Sequence, residues 1–252
     1  MRCSKYSANG NDFVIFDSDK KEDRTQLAKT LCHRQGGIGA DGLVVLVPNG
    51  EYDFEWQFYN SDGSHADMCG NASRAAAHYA YTHKLAGENM SFLTGAGVIS
   101  ATIESSDEKK GMVLSELTPP EIIDTKIEFN NHNWWLINTG VPHLVRYTDN
   151  IEEFDIEEAR ELRYKYNANV NVTCVEGGNL KVRTYERGVE DETLACGTGM
   201  AACFYRAYKE SKVSDDIEVY PTSGDTLYLG YNGETITFKG EVKNTFNTDW
   251  DL

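Results

Sequence analysis

Along the chain, β-branched and aromatic residues gather in short runs bounded by glycine, asparagine, aspartate and proline. That punctuation reads as strands joined by turns. The runs before residue 119 are NDFVIFD, GLVVLV, FEWQFYN, SFLTG, GVISATIE and GMVLSEL. After it come WWLIN, HLVRY, NVTCVE, KVRTY, IEVYP, DTLYLGY and ETITFKGEV. Helical patterns are fewer. One is predicted over 21–32, after Ser18 and Asp19, and one over the acidic amphipathic stretch 156–166. Two more fall on alanine-rich stretches, 71–85 and 199–210. Strand-rich stretches without regular alternation of strand and helix point to the α+β class rather than to βαβ units.

The pattern also occurs twice. With Cys69 placed over Cys196, an offset of 127 positions, CGNASRAAAHYAY lies over CGTGMAACFYRAY. Upstream, FYNSDGS stands to the first cysteine as TYERGVEDE stands to the second, and GADGLVVLV lies over NANVNVTCV. Further back, GNDFVIF lies near GVPHLVRY. Four features in one order at a nearly constant offset indicate two halves with one fold. The boundary is expected near 117–120, where Pro119-Pro120 stiffens a linker. The expected domains are 1–118, carrying Cys69, and 119–241, carrying Cys196, with a tail of about 242–252 returning to the first. Clefts between domains are preferred places for small-molecule sites, and the two Cys-Gly loops are expected to face one such cleft.

Composition narrows the partners. The chain has 252 residues, 40% of them hydrophobic, with 24 basic and 40 acidic side chains and a formal charge of −16. That balance argues against nucleic acid, which calls for a basic patch, and against an anionic membrane surface. The opening MRCSKYSANGNDF has no apolar core of a secretory signal, and no run approaches the length of a membrane span. The expected location is therefore cytoplasmic, with the six cysteines as reduced thiols. They form no C-x-x-C pair and no zinc spacing, so no metal is expected.

Most buried cysteines only fill space, and Cys3, Cys32, Cys174 and Cys203 read that way. Cys69 and Cys196 differ, because each directly precedes a strongly helix-favouring run. At a helix N-terminus, unpaired N–H groups and the positive end of the dipole favour an anion and lower a thiol pKa. The glycine after each cysteine lets a ligand approach the backbone closely. A substrate carboxylate held by two such termini needs no arginine, and the same donors stabilise charge that builds when an α-proton leaves. Inverting a stereocentre by proton transfer needs a base on one face and an acid on the other. A thiolate and a thiol meet that need, and they titrate as a pair. No cofactor is expected, since no lysine stands in an evident Schiff-base context.

These motifs resemble the diaminopimelate epimerase family. KYSANGNDFVIFD, GIGADGLVVL, FYNSDGSHADMCGNASR, NTGVPH, NANVNV, YERGVEDETLACGTG and the final GEV stretch run in family order along nearly the whole chain. The resemblance implies two pseudo-symmetric domains, each a curled, mostly antiparallel sheet around a central helix. It also implies cofactor-independent interconversion of L,L- and meso-diaminopimelate, in lysine and peptidoglycan-precursor synthesis, by a homodimer. Cys69 and Cys196 match the acid/base pair, and His143 and Glu186 match residues that set thiol protonation. Asn11, Asn60, Asn169, Glu186 and Arg187 match substrate contacts, with Gly70, Asn71, Gly197 and Thr198 at the backbone N–H groups. Gly42 stands where many members have glutamine, and Val141 where many have asparagine before Pro-His.

Three other readings compete. A proline racemase-like isomerase would keep both cysteines but has no need for a glutamate–arginine pair reaching a far carboxylate. A thiol-redox or metal protein would use Cys69, Cys196 and His143. A binding module would hold amino acids without α-proton exchange. Outside the motifs, Asn11 and Asn60 read as turn residues, His143 as a strand histidine, and Glu186-Arg187 as a surface pair. His33, His65, His78, His83 and His132 read as surface or helix-face residues.

Overall fold

Small side chains decide what lies at the centre of each half of the chain. In the computed structural model, which describes residues 1–251, the chain divides into two units. One is Met1–Glu116 with the stretch from Lys239 onward, and the other is Leu117–Phe238. The first unit runs β1 (Arg2–Ala8), β2 (Asn11–Asp17), α1 (Thr25–Cys32), β3 (Gly42–Val47), β4 (Phe54–Asn60), α2 (Gly70–Thr82), β5 (Asn89–Thr94), β6 (Gly97–Ser106) and β7 (Lys110–Glu116). Its strands neighbour one another in chain order, with β2–β3 and β4–β5 parallel and the others antiparallel. Helix α2 touches β1, β2, β3, β6 and β7, and Ala72, Ala75, Ala76, Ala77 and Ala80 are all buried. Alanine on every side lets strands close around a helix that larger side chains would hold off. Helix α1 covers the other face, where Ala28, Leu31 and Cys32 meet Val14, Leu43, Val45 and Tyr59. Strand β3 is thus covered on both faces, and its unbroken apolar run follows from that.

The second unit repeats the plan: β8 (Glu121–Phe129), β9 (His132–Asn138), β10 (Pro142–Tyr147), α3 (Ile156–Tyr166), β11 (Asn169–Glu176), β12 (Asn179–Glu186), β13 (Asp191–Thr193), α4 (Gly197–Lys209), β14 (Asp216–Pro221) and β15 (Leu227–Tyr231). From β9 to β15 the pairings run antiparallel, parallel, antiparallel, parallel, antiparallel, with β13 beside β12. The same succession runs from β1 to β6. Helix α4 touches β9 to β12, and α3 packs on β11, β12 and β13. The last strand, β16 (Ile236–Asp249), begins beside β15 and continues beside β7. It pairs with β1 from Arg2↔Asp249 to Ser7↔Lys243, which closes the strands of the first unit on themselves.

The two central helices match in detail. Each has thirteen residues and begins directly after its cysteine, with Cys69 and Cys196 as extended N-caps. Each ends by the same left-handed turn, at Lys84 (φ 60°) and Ser211 (φ 56°). There Leu85 N–H donates to Ala80 O and Lys212 N–H to Ala207 O, a closure that stops the helix while satisfying its last carbonyls. Helix α2 therefore ends three residues before the predicted Leu85. Helix α1 starts at Thr25 rather than at 21. Arg24 is buried and ties the preceding stretch down through the Ser18 hydroxyl and the Lys20 carbonyl, which holds 18–24 out of helical geometry.

Strands β1, β8 and β13 are additions to the predicted set. His78 stands on an inward face of α2. It is fully buried between Tyr6 Oη at 3.1 Å and Ser106 Oγ at 3.0 Å, and burial lowers its pKa.

Candidate active site

The start of α2 is built from side chains that orient one another. Asp41 Oδ2 accepts from Asn11 Nδ2 at 3.1 Å and from the Asp12 N–H at 3.1 Å. Asn11 Oδ1 is thereby turned to accept from Asn71 Nδ2 at 2.7 Å. Asn71 Oδ1 in turn accepts from Arg74 Nη2 at 2.7 Å, and the same guanidinium reaches Asn9 Oδ1 at 2.7 Å and Gly70 O at 3.1 Å. Asp41 is itself held by Arg34 Nη2 at 2.7 Å. Each acceptor fixes the next amide, so Asn11 and Asn71 have one orientation each.

Arg74 is fully buried one helical turn below Cys69. Burial lowers its pKa to about 9, against the opposite pull of Cys69, so the side chain is a cation at neutral pH. A cation there favours the thiolate of Cys69. Asn60 is exposed and donates to Ser64 Oγ at 2.9 Å. Strand register nevertheless places it in one row with Gly42 and Phe13. Gly42 fits that row without a side chain, since a Cβ would lie 2.7 Å from the Phe58 ring and 2.8 Å from Tyr59 O.

The second unit carries the corresponding row, His143 beside Asn169 on β11 and then the end of β12 at Glu186. His143 is fully buried. Its Nε2 lies 2.9 Å from Thr198 Oγ1 and its Nδ1 lies 3.1 Å from Asn171 Nδ2. Thr198 Oγ1 lies 3.7 Å from Cys196 Sγ, and Thr198 O accepts from Thr139 Oγ1 at 2.8 Å. Gly199 lets α4 sit against this network, because a Cβ there would overlap Asn171 Oδ1 and lie 3.1 Å from Thr184 Oγ1. Asn169 spans two backbone groups, donating to Pro142 O at 3.3 Å and accepting from Arg187 N–H at 2.8 Å. The half-buried Arg187 side chain donates to Asn167 O at 2.9 Å, and the half-buried Glu186 accepts at its carbonyl from Glu190 N–H.

These helix starts contrast with that of α3. Helix α3 has Asp155 as an N-cap accepting from Glu157 and Glu158 N–H, with both glutamates in its first turn. The cysteine caps of α2 and α4 accept no such bond, and neither first turn contains an acidic residue. First-turn N–H groups are ones a helix cannot satisfy internally, and a start without acidic residues is compatible with an external anion. The other thiols are different. Burial pushes Cys3 up to about 11 and Cys32 up to about 12, and it raises Cys203 further and Cys174 less. Among the described residues, no group of three or more His, Cys, Asp or Glu side chains could hold a metal ion.

His143 has its pKa pushed down to about 3, by burial first and by the Arg187 charge second. The folded value lies below the unfolded one of about 6.5, so the unfolded chain takes up a proton that the folded chain refuses. The resulting stability is complete above about pH 6.5 and is lost as the pH falls toward 3. Between pH 6.5 and 5, His143 is expected to cost about 2 kcal/mol of stability. Urea midpoints at both pH values should show a correspondingly smaller loss in His143→Gln.

The structure therefore joins Asn11, Gly70 and Asn71 at the start carrying Cys69, and His143, Gly197 and Thr198 at the start carrying Cys196. Asn60, Asn169 and Glu186 lie at ends of β4, β11 and β12, and Arg187 directly follows β12. Asp41, Arg74, Asn171 and Thr184 belong to the same networks without having been singled out from the sequence. Two signals stood there: an arginine within the small-residue stretch 70–77, and the alternating polar series Asn169, Asn171, Thr173 in a strand.

The chain is similar to known proteins along nearly its whole length. The family model described as diaminopimelate epimerase matches residues 3–123 and 135–242. A diaminopimelate epimerase of a Nitratiruptor species is 58% identical over 98% of this chain and 98% of its own length. One of Campylobacter lari is 52% identical over the full length of both. A crystal structure of a probable proline racemase from Agrobacterium radiobacter superposes with a TM-score of 0.80 at 13% identity, covering 100% of this chain and 93% of the other; at that identity it speaks to the fold alone. The chain belongs to the diaminopimelate epimerase family.

Proposed function

We propose that the protein interconverts L,L- and meso-diaminopimelate without a cofactor, with Cys69 and Cys196 exchanging the roles of base and acid at one α-carbon. The observation that carries this reading is the pair of cysteine-capped, acid-free helix starts on matching thirteen-residue helices. In the forward direction one thiolate removes the α-proton while the other thiol delivers a proton to the opposite face. The electron pair rests meanwhile on the α-carboxylate, held by N–H groups of Gly70, Asn71, Gly197 and Thr198. Concentrated donors of this kind do most of the work where no electron sink is available.

Arg187 suits the carboxylate at the non-reacting end by paired N–H donation. Asn11, Asn60, Asn169 and Glu186 suit the ammonium groups. That far-end pair favours diaminopimelate over a substrate with a single carboxylate such as proline. The setting we infer is a cytoplasmic homodimer acting in lysine and peptidoglycan-precursor synthesis.

The test is incubation of the protein with L,L-diaminopimelate in D2O, with no cofactor added, following the α-proton signal by NMR. Loss of the signal with appearance of the meso form is the expected result. Exchange with proline instead would shift the reading to the proline racemase type. Binding of diaminopimelate without exchange would leave only a binding role.

A further inference from the structure

The hydrogen bonds around His143 admit one consistent set of donors. A carbonyl oxygen can only accept, so the end of Asn171 lying 2.9 Å from Leu144 O is its NH2 group. The other end is then the oxygen, and it accepts from the Thr184 hydroxyl at 2.8 Å. The same NH2 group faces His143 Nδ1 at 3.1 Å. Nδ1 is therefore the bare nitrogen, and the proton of the neutral ring sits on Nε2. Nε2–H donates to Thr198 Oγ1 at 2.9 Å. That hydroxyl keeps its own hydrogen for another acceptor, and Cys196 Sγ lies 3.7 Å away, within reach for sulfur.

We propose that Asn171 is a positioning residue for the reaction: it fixes His143 as an Nε2–H donor and so aims the Thr198 hydroxyl at the Cys196 sulfur. The network then delivers a hydrogen bond to the Cys196 thiolate rather than a base to the Cys196 thiol. His143, with its bare nitrogen taken up by Asn171, has no lone pair to offer toward Thr198. This rests on the reading of Cys196 as an acid/base group. The Arg187 charge acts on His143, and Glu186 ends the strand next to β11.

Two measurements test it, and neither needs turnover. In protein labelled with 15N-histidine, with His143 assigned by its loss in His143→Gln, the nitrogen shifts report which ring atom is protonated. The expected result is Nε2–H with bare Nδ1 across pH 6 to 8. In Asn171→Asp, the carboxylate accepts where the amide donated, and the ring proton should move to Nδ1. Separately, in a Cys69→Ser background, alkylation of Cys196 by iodoacetamide is followed by mass spectrometry across pH. Thr198→Val should raise the apparent thiol pKa by about one unit, seen as a roughly tenfold slower reaction near pH 7. Thr198→Ser should restore the profile. If Asn171→Asp fails to fold, the native 15N spectrum and the Thr198 pair still decide the matter. A proton on Nδ1 in the unmodified protein would overturn the proposal, as would a Thr198→Val profile identical to that of its parent. Failure of the two-thiol reading would show instead as undiminished epimerisation by Cys69→Ser or Cys196→Ser.

Discussion

Replacing either Cys69 or Cys196 by serine is expected to lower epimerisation at least about a thousandfold, while the fold survives. A positioned acid or base contributes roughly 10²–10⁴ in rate, and a serine hydroxyl at the same place neither holds a negative charge at neutral pH nor gives up its proton readily. The substitution is sterically mild, because both side chains are half-buried and their sulfurs make no capping bond to the helix they precede. Inversion needs both groups, so the two losses should be alike, and the double variant should be little worse than either single one. What remains should differ in kind. A variant with one thiol can still take a proton and return it on the same face. Each single variant should then exchange the α-hydrogen of one stereoisomer with D2O without inverting it, and the two variants should prefer opposite isomers. The measurement is paired NMR and chiral analysis starting from each isomer. Full inversion by either variant would remove its cysteine from the reaction.

Substitution of Arg74 should have the largest effect on stability. Its guanidinium donates to Gly70 O, Asn71 Oδ1 and Asn9 Oδ1 from a fully buried position. Arg74→Met keeps much of the volume and removes every donor, leaving the buried Asn71 Oδ1 without its partner, whereas Gly70 O keeps the Ser73 hydroxyl and Asn9 is half-buried. An unsatisfied buried acceptor costs about 1–3 kcal/mol, so a loss of about that size is expected by urea denaturation. The chemistry should change too, and on one side only. With the cation gone, a thiolate at Cys69 is less favoured, so its pKa rises and its alkylation near pH 7 should slow about tenfold. The Cys196 rate should hold. Equal slowing of both thiols would mean that the variant acts through general loosening rather than through charge.

Much of this was legible in the sequence. Strands β2, β3 and β4 coincide with their predicted runs, which turn residues bound, and helix α3 coincides with its predicted amphipathic stretch. The helix starts were legible for a related reason: a Cys-Gly pair before a run of alanines marks a cap and a close approach at once. Strand β1 was hidden because Ser4 and Lys5 are buried within it, so its polar letters do not read as a covered strand. Strand β8 was hidden by its irregularities, with two shifts of register against β9. The supporting residues were illegible for a deeper reason. Asn171 acts on His143 because β11 pairs with β10 in one register, and on Thr184 because β12 does so on the other side. Register comes from the assembled sheet, and no local window of sequence contains it.

The two halves share a plan, but their supports are not copies. Where His143 stands beside Asn169, the matching row of the first unit has Phe13 beside Gly42. Where Arg74 lies under Cys69, five residues after it, the fifth residue after Cys196 is Ala201. On the proposed two-thiol reading, two identical halves would share a single proton evenly between their sulfurs, leaving half the molecules ready for each stereoisomer. Unlike supports break that tie. On that reading, a buried cation would serve one sulfur and a neutral donor relay the other, so the unliganded population would be weighted toward one protonation form and toward the isomer which that form can attack. A chimera built from two first halves, or from two second halves, would regain the even split, and with it equal readiness in both directions.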